Sequence, residues 1–253
     1  MDTILLFIYL FIAAFGLAVG SFLNVVIYRY STGESVVRPG SSCTNCGTFL
    51  RPKDLLPLFS FLLLRGRCRY CKAKLSPRYP LVEGATAVLF LVCFHFLGFS
   101  PLLIKYMGIF AILLAISGVD LENQIIPNRF VLVLFTWLIL WQLLYPELNA
   151  LSAVLGFFIG GVLFYAIAVL SKGGMGGGDV KLMAALGFAI GMPQVFFVFL
   201  IAFLTGALVG ILLILLKKKG RKSPLPFGPF LVLAYFIAVF WGEQLWNWYF
   251  SFL

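Results

Sequence analysis

From Ile4 to Ile27 the chain carries no charged residue, and stretches of this kind recur to its end. A helix that crosses a bilayer needs about 20 mostly apolar residues. Runs of that kind, bounded by charges or by Gly and Pro, predict spans at about 4–27, 80–98, 102–119, 128–145, 150–171, 180–193, 194–216 and 228–250. Charged residues make up 11% of the sequence, less than half of the roughly 25% usual in soluble domains. A soluble globular fold is thereby excluded. An all-α polytopic membrane protein with about eight transmembrane helices is expected.

The sixth and seventh spans need separating. Between Leu182 and Leu216 lie 35 mostly apolar residues, about 52 Å of helix, too long for one crossing and short for two. Gly191-Met192-Pro193 is the break, because Pro disfavours continuation of the preceding helix. Charge supports this division. If residues 28–79 face the cytoplasm and the chain crosses eight times, eighteen of the nineteen Lys and Arg residues fall on the cytoplasmic side, as the positive-inside pattern requires. Only Lys105 lies near the other face, together with Asp2, Glu147 and Glu243. An undivided segment would put the basic run at 217–222 outside. Both termini are then expected to be extracytoplasmic. The net charge of +10 reads as membrane orientation rather than nucleic-acid binding, and the lipid bilayer is the expected partner of the apolar surface. The first basic residue is Arg29, so the first span lacks the positive start of a cleaved signal peptide and is expected to stay attached.

One sizeable loop interrupts the spans and divides the chain into a first transmembrane helix (1–27), a cytoplasmic loop domain (28–79) and a seven-helix membrane domain (80–253). The loop carries Cys43-Thr-Asn-Cys46 and, after an interval of 21 residues, Cys68-Arg-Tyr-Cys71. Two such pairs match a tetrahedral four-thiolate zinc site, and four thiolates leave no open coordination position, so the zinc reads as structural. A loop of about 50 residues has too little core to fold alone, and metal binding would supply its folding energy. Disulfides and a redox relay are the alternatives, and a reducing cytosol argues against the first. Arg65, Arg67, Arg69, Lys72 and Lys74 are placed to anchor the loop at anionic headgroups. Cys93 and His95, inside an apolar run, read as packing residues.

Two carboxylates share the cytoplasmic boundary. Asp120 closes the third span going inward, and Asp179 opens the sixth going outward after Gly173-Gly-Met-Gly-Gly-Gly178, 59 positions later. A carboxylate at membrane depth is costly and marks function. On the glycine stretch alone, a turn with a capping Asp is an equal reading. Carboxylates brought close share a proton, which fits an aspartic-protease pair. Ion or proton coupling in a transporter is the alternative, and a zinc-stabilised scaffold without catalysis is a third reading. The glycine run is not a phosphate loop, because a membrane helix rather than a strand precedes it. Glu83, at the start of the second span, is a third boundary carboxylate, either a helix-dipole partner or a base. Pro127 and the cluster Pro224-Leu-Pro-Phe-Gly-Pro229 read as helix punctuation.

Taken together, several motifs resemble one family, the bacterial type IV prepilin peptidases or leader peptidase/N-methyltransferases. They are Gly20-Ser-Phe-Leu-Asn-Val-Val-Ile-Tyr-Arg29, both Cys pairs, Leu64-Arg-Gly-Arg-Cys-Arg69, Arg78-Tyr-Pro-Leu-Val-Glu83, Asp120 with Ile126-Pro127, Gly176-Gly-Gly-Asp179 with Lys181, and Pro226-Phe-Gly-Pro229. The resemblance implies an eight-helix GxGD aspartic protease of the bacterial inner membrane that removes the short basic leader of type IV prepilins or pseudopilins after a glycine. Asp120 and Asp179 match its catalytic pair. Gly176, Gly178, Lys181 and Glu83 are expected to contact substrate. It further implies methylation of the new N-terminal amine from S-adenosylmethionine, associated with the cytoplasmic loop. Thr44-Asn45 stands where a proline often follows the first cysteine, and Asn128 where the family often has Asp, but every catalytic and metal position is present.

Overall fold

The computed structural model describes residues 2–171, 174–217 and 224–251. Among these the regular structure is helical: α1 (Asp2–Thr32), α2 (Phe59–Leu63), α3 (Arg78–Leu97), α4 (Pro101–Asn123), α5 (Asn128–Leu144), α6 (Ala150–Leu170), α7 (Gly177–Ile190), α8 (Val195–Leu215) and α9 (Gly228–Phe250). Lys172, Gly173 and most of the basic run at 217–222 lie outside the described residues. The break inside the long apolar segment is where the sequence puts it. Gly191 adopts φ +71°, which ends α7, and Pro193 precedes α8.

Two boundaries differ from expectation. α1 continues five residues past Ile27, because Arg29 is buried and its guanidinium donates to the carbonyls of Ser35 (2.5 Å), Pro39 and Gly40 (3.4 Å). A charge met that way no longer ends a helix. Six helices, α1, α3, α4, α6, α8 and α9, are long and apolar enough to cross a membrane. α5 with 17 residues and α7 with 14 are shorter, so by length and composition six helices among the described residues are candidates to cross, and the expected eight spans are not confirmed.

The chain forms two compact units, residues 1–115 and 116–253. In the first, α1 lies against α3 at van der Waals distance: a Cβ on Gly20 would sit 2.6 Å from the Glu83 Cα. Close approach through small residues is how membrane helices gain packing energy without a hydrophobic drive. Cys93 is fully buried as a packing residue, whereas His95 is exposed and its ring nitrogen lies 3.1 Å from the Tyr9 hydroxyl. Lys105, the fifth residue of α4, is 3% exposed, its ammonium 5.4 Å from the Tyr106 ring centroid.

In the second unit α7 is central, with α5, α6, α8 and α9 all packed on it. Gly156 and Gly187 let α6 and α7 touch through backbone: a Cβ on either would fall within 2.2 Å of the other's carbonyl oxygen. Eight of the fourteen residues of α7 are buried. A helix so enclosed is surrounded by protein, so its length of about 21 Å does not have to match the lipid.

Candidate active site and metal centre

The cysteine loop of the first unit is two copies of one turn. Cys43 N–H donates to Thr48 O and Gly47 N–H to Cys43 O; 25 residues on, Cys68 N–H donates to Ala73 O and Lys72 N–H to Cys68 O, all within 2.8–3.1 Å. Each turn closes with a single bridge, Ser42 to Phe49 and Arg67 to Lys74. Each has a residue of positive φ after its second cysteine, Gly47 (+70°) and Lys72 (+60°). The turns hold the four sulfurs within 4.8 Å of one another.

That spacing fits a metal. Four sulfurs about 2.3 Å from a tetrahedral zinc lie about 3.8 Å apart, and the Cys43 and Cys71 sulfurs are 3.8 Å apart. A disulfide needs about 2.05 Å, and all five cysteines are free. The Thr48 hydroxyl, 3.3 Å from its sulfur, leads the contacts that hold the Cys46 thiol down at about 6, while burial pushes Cys43 up to about 11. The backbone N–H of Cys71 holds Cys68 below its ordinary value. The Cys43, Cys46, Cys68 and Cys71 cluster can therefore hold a metal ion. Arg69 joins the second turn to Asp54 at 2.5 Å, and Tyr70 donates to the same carboxylate at 2.9 Å. That bond to Arg69 holds the Asp54 carboxyl low, and Asp54 in turn pushes the Tyr70 hydroxyl up.

The aspartates lie in the second unit. Asp120 occupies the last turn of α4 and is 4% exposed; its Oδ2 accepts the Gly228 N–H at 2.7 Å. Gly228 is the first residue of α9, so its N–H has no partner within the helix, and a helix N-terminus favours the negative charge. A Cβ at Gly228 would lie 2.9 Å from the same oxygen. Asp179 is the third residue of α7, and its Oδ2 accepts the Gly176 N–H at 3.1 Å. It is not the N-cap of that helix. Gly176 is the N-cap, and Asp179 reaches back to it, as the acidic member of a capping box does.

Both carboxylates are thus held by one backbone amide at a helix N-terminus, and Asp179 lies within electrostatic range of Asp120. Two contacts clamp their segments together. A Cβ on Gly178 would sit 2.7 Å from the Ile126 Cβ, so the space beside this glycine is filled by Ile126. Lys181 Nζ donates to Asn128 Oδ1 at 2.9 Å. Gly176 is exposed, and open space surrounds Gly177. Glu83 belongs to the first unit, where it is 7% exposed and accepts the Leu58 N–H at 2.8 Å and the Ser21 hydroxyl. Gly228 escapes the sequence reading of the proline cluster as punctuation. A glycine amide directly before a proline, in a segment where Pro224, Pro226 and Pro229 leave few donors, is the signal that points to it.

Two family models match. The bacterial peptidase A24 N-terminal domain covers residues 14–97, and the type IV leader peptidase family covers 107–211. Proteins named prepilin leader peptidase/N-methyltransferase are similar over nearly their whole length. The one from Aeromonas salmonicida is 35% identical over 94% of this chain and 92% of its own. That from Pseudomonas aeruginosa is 36% identical over 94% and 91%, and that from Bacillus subtilis 32% identical over 93% and 95%. No solved structure matches.

Proposed function

This chain belongs to the type IV leader peptidase family, and on that premise we propose that it is an inner-membrane enzyme which cuts the basic leader from a type IV prepilin or pseudopilin and then N-methylates the new terminus. The observation that carries this reading is the pair of amide-held carboxylates, Asp120 and Asp179, within electrostatic range of each other.

In the proposed cleavage one carboxylate, ionised, takes a proton from a water that attacks the scissile carbonyl. The other, protonated, donates a hydrogen bond to the carbonyl oxygen. The C–N bond then breaks as the leaving amine is protonated, and the two carboxylates exchange roles. An extended leader junction lies beside Asp179 at Gly176, with Gly178 packed on Ile126 and Lys181 fixing the wall that faces Asn128. S-adenosylmethionine supplies the methyl group, leaving as S-adenosylhomocysteine while the amine loses a proton. Zinc is the metal we assign to Cys43, Cys46, Cys68 and Cys71, with a structural role. Residues 28–79 face the cytoplasm, 80–253 carry the protease site, and both termini lie on the far side. A proton-coupled transporter is not favoured, since both family models are of peptidases.

The deciding experiment incubates purified protein with a prepilin, with and without S-adenosylmethionine, and weighs the product by mass spectrometry. Loss of the leader, then a gain of one methyl group, is expected. An uncut prepilin refutes the reading.

A further inference from the structure

A cavity of about 200 Å³ opens in the first unit between the C-terminal part of α1, the cysteine loop and the start of α3. A single water needs only about 15 Å³ by the same measure, so the space suits a larger guest. Its wall includes a polar atom that is unsatisfied. Asn24 is 2% exposed; its Nδ2 donates to Tyr79 O (3.0 Å) and Gly20 O (3.3 Å), whereas its Oδ1 has no hydrogen-bond partner. Buried acceptors are almost always paired, and an orphan in a cavity wall calls for a donor from outside the chain.

The other lining groups narrow the choice. Glu83, buried, adds a carboxylate to the same wall, so both of its buried acceptor groups favour a guest with N–H donors and positive charge. The Glu83 carboxylate is held by the Leu58 N–H, and Leu58 has φ +58°, a conformation costly for a branched side chain. Tyr28, Phe61 and Tyr79 supply flat apolar faces. Of the cations in the wall, Arg29 is committed to loop carbonyls and Arg69 to Asp54, while Arg67 is exposed.

We propose that this cavity is the methyl-donor pocket, in which Asn24 Oδ1 accepts an N–H of S-adenosylmethionine, Glu83 faces its sulfonium charge and the aromatic rings hold its base. Arg67 is placed for the donor's carboxylate. The inference rests on the methylation reading above but assigns it to residues outside the aspartate site.

The test measures binding of labelled S-adenosylmethionine to the full-length protein by equilibrium dialysis. Asn24→Leu is expected to weaken binding at least tenfold while prepilin cleavage stays within about twofold of the parent. Unchanged binding overturns the proposal. Because the variant also removes the bonds to Gly20 and Tyr79, a second measurement uses the unaltered protein: ultraviolet cross-linking of the bound donor, followed by peptide mapping. Label in residues 21–44, 50–69 or 75–83 supports the pocket, and label confined to residues 116–253 overturns it. If the unaltered protein cleaves prepilin yet neither binds the donor nor methylates, the methylation reading itself fails, and the pocket with it. If it methylates with label elsewhere, only the pocket fails.

Discussion

In the cysteine loop, the turn from Ser41 to Leu50 is repeated from Gly66 to Leu75, hydrogen bond for hydrogen bond, whereas Asp120 and Asp179 each have a glycine amide as partner but no local turn in common: one amide lies 108 positions away and the other three. The thiolates are placed by two ten-residue turns that each set their own pair. The carboxylates are placed by the end of α4 and the starts of α7 and α9, brought together from positions 120, 179 and 228. The contrast teaches that a ligand cluster can be written locally, while an acid–base pair in a helical bundle depends on how its helices meet.

The comparison has breaking points, and the largest lies at the carboxylates. Asp120→Asn or Asp179→Asn is expected to lower cleavage by about 10³-fold or more, since positioned acid–base groups contribute roughly 10²–10⁴-fold. Mass spectrometry of a prepilin checks it, and metal content should be unchanged. Next comes Gly228→Ala, whose Cβ would press on the Asp120 carboxylate at 2.9 Å. A misplacement near 1 Å costs about 10²-fold, so kcat is expected to fall by that order with the protein still folded.

Cys68→Ser should release the bound metal, measured by elemental analysis, and leave the loop open to proteolysis while helices α5–α9 remain resistant. Digestion of those helices too would show that the two regions do not fold as separately as the contrast claims. The smallest effect sharpens the repeat itself. Lys72 holds the positive φ that Gly47 holds in the other turn, so Lys72→Gly is expected to stabilise the loop by about 0.5–1 kcal/mol, visible as slower metal loss to a chelator.

This contrast also explains what could be read from the chain. The Cys-x-x-Cys pairs were legible because their geometry is local. The pairing of the aspartates was legible only through an argument from charge and span counting. Their anchoring was not, because it runs through main-chain amides of residues read as a turn and as punctuation. Helix positions followed from hydropathy, but the end of α1 did not: a buried Arg29 is satisfied by carbonyls ten residues away, which no span-length rule anticipates. Likewise α7 was recognised by its bounding glycines and proline, while its enclosure depends on four other helices.

Since the groups that hold Asp120 and Asp179 are peptide N–H groups of glycines, no replacement of either glycine except proline removes the donor. At every replacement but proline, a systematic mutational scan would therefore register Gly176 and Gly228 only through the bulk introduced. Proline removes the donor but also constrains the backbone, so it does not isolate the hydrogen bond. Exchanging one amide for an ester at position 228, by backbone chemistry, would remove the donor while leaving the outline of the site intact.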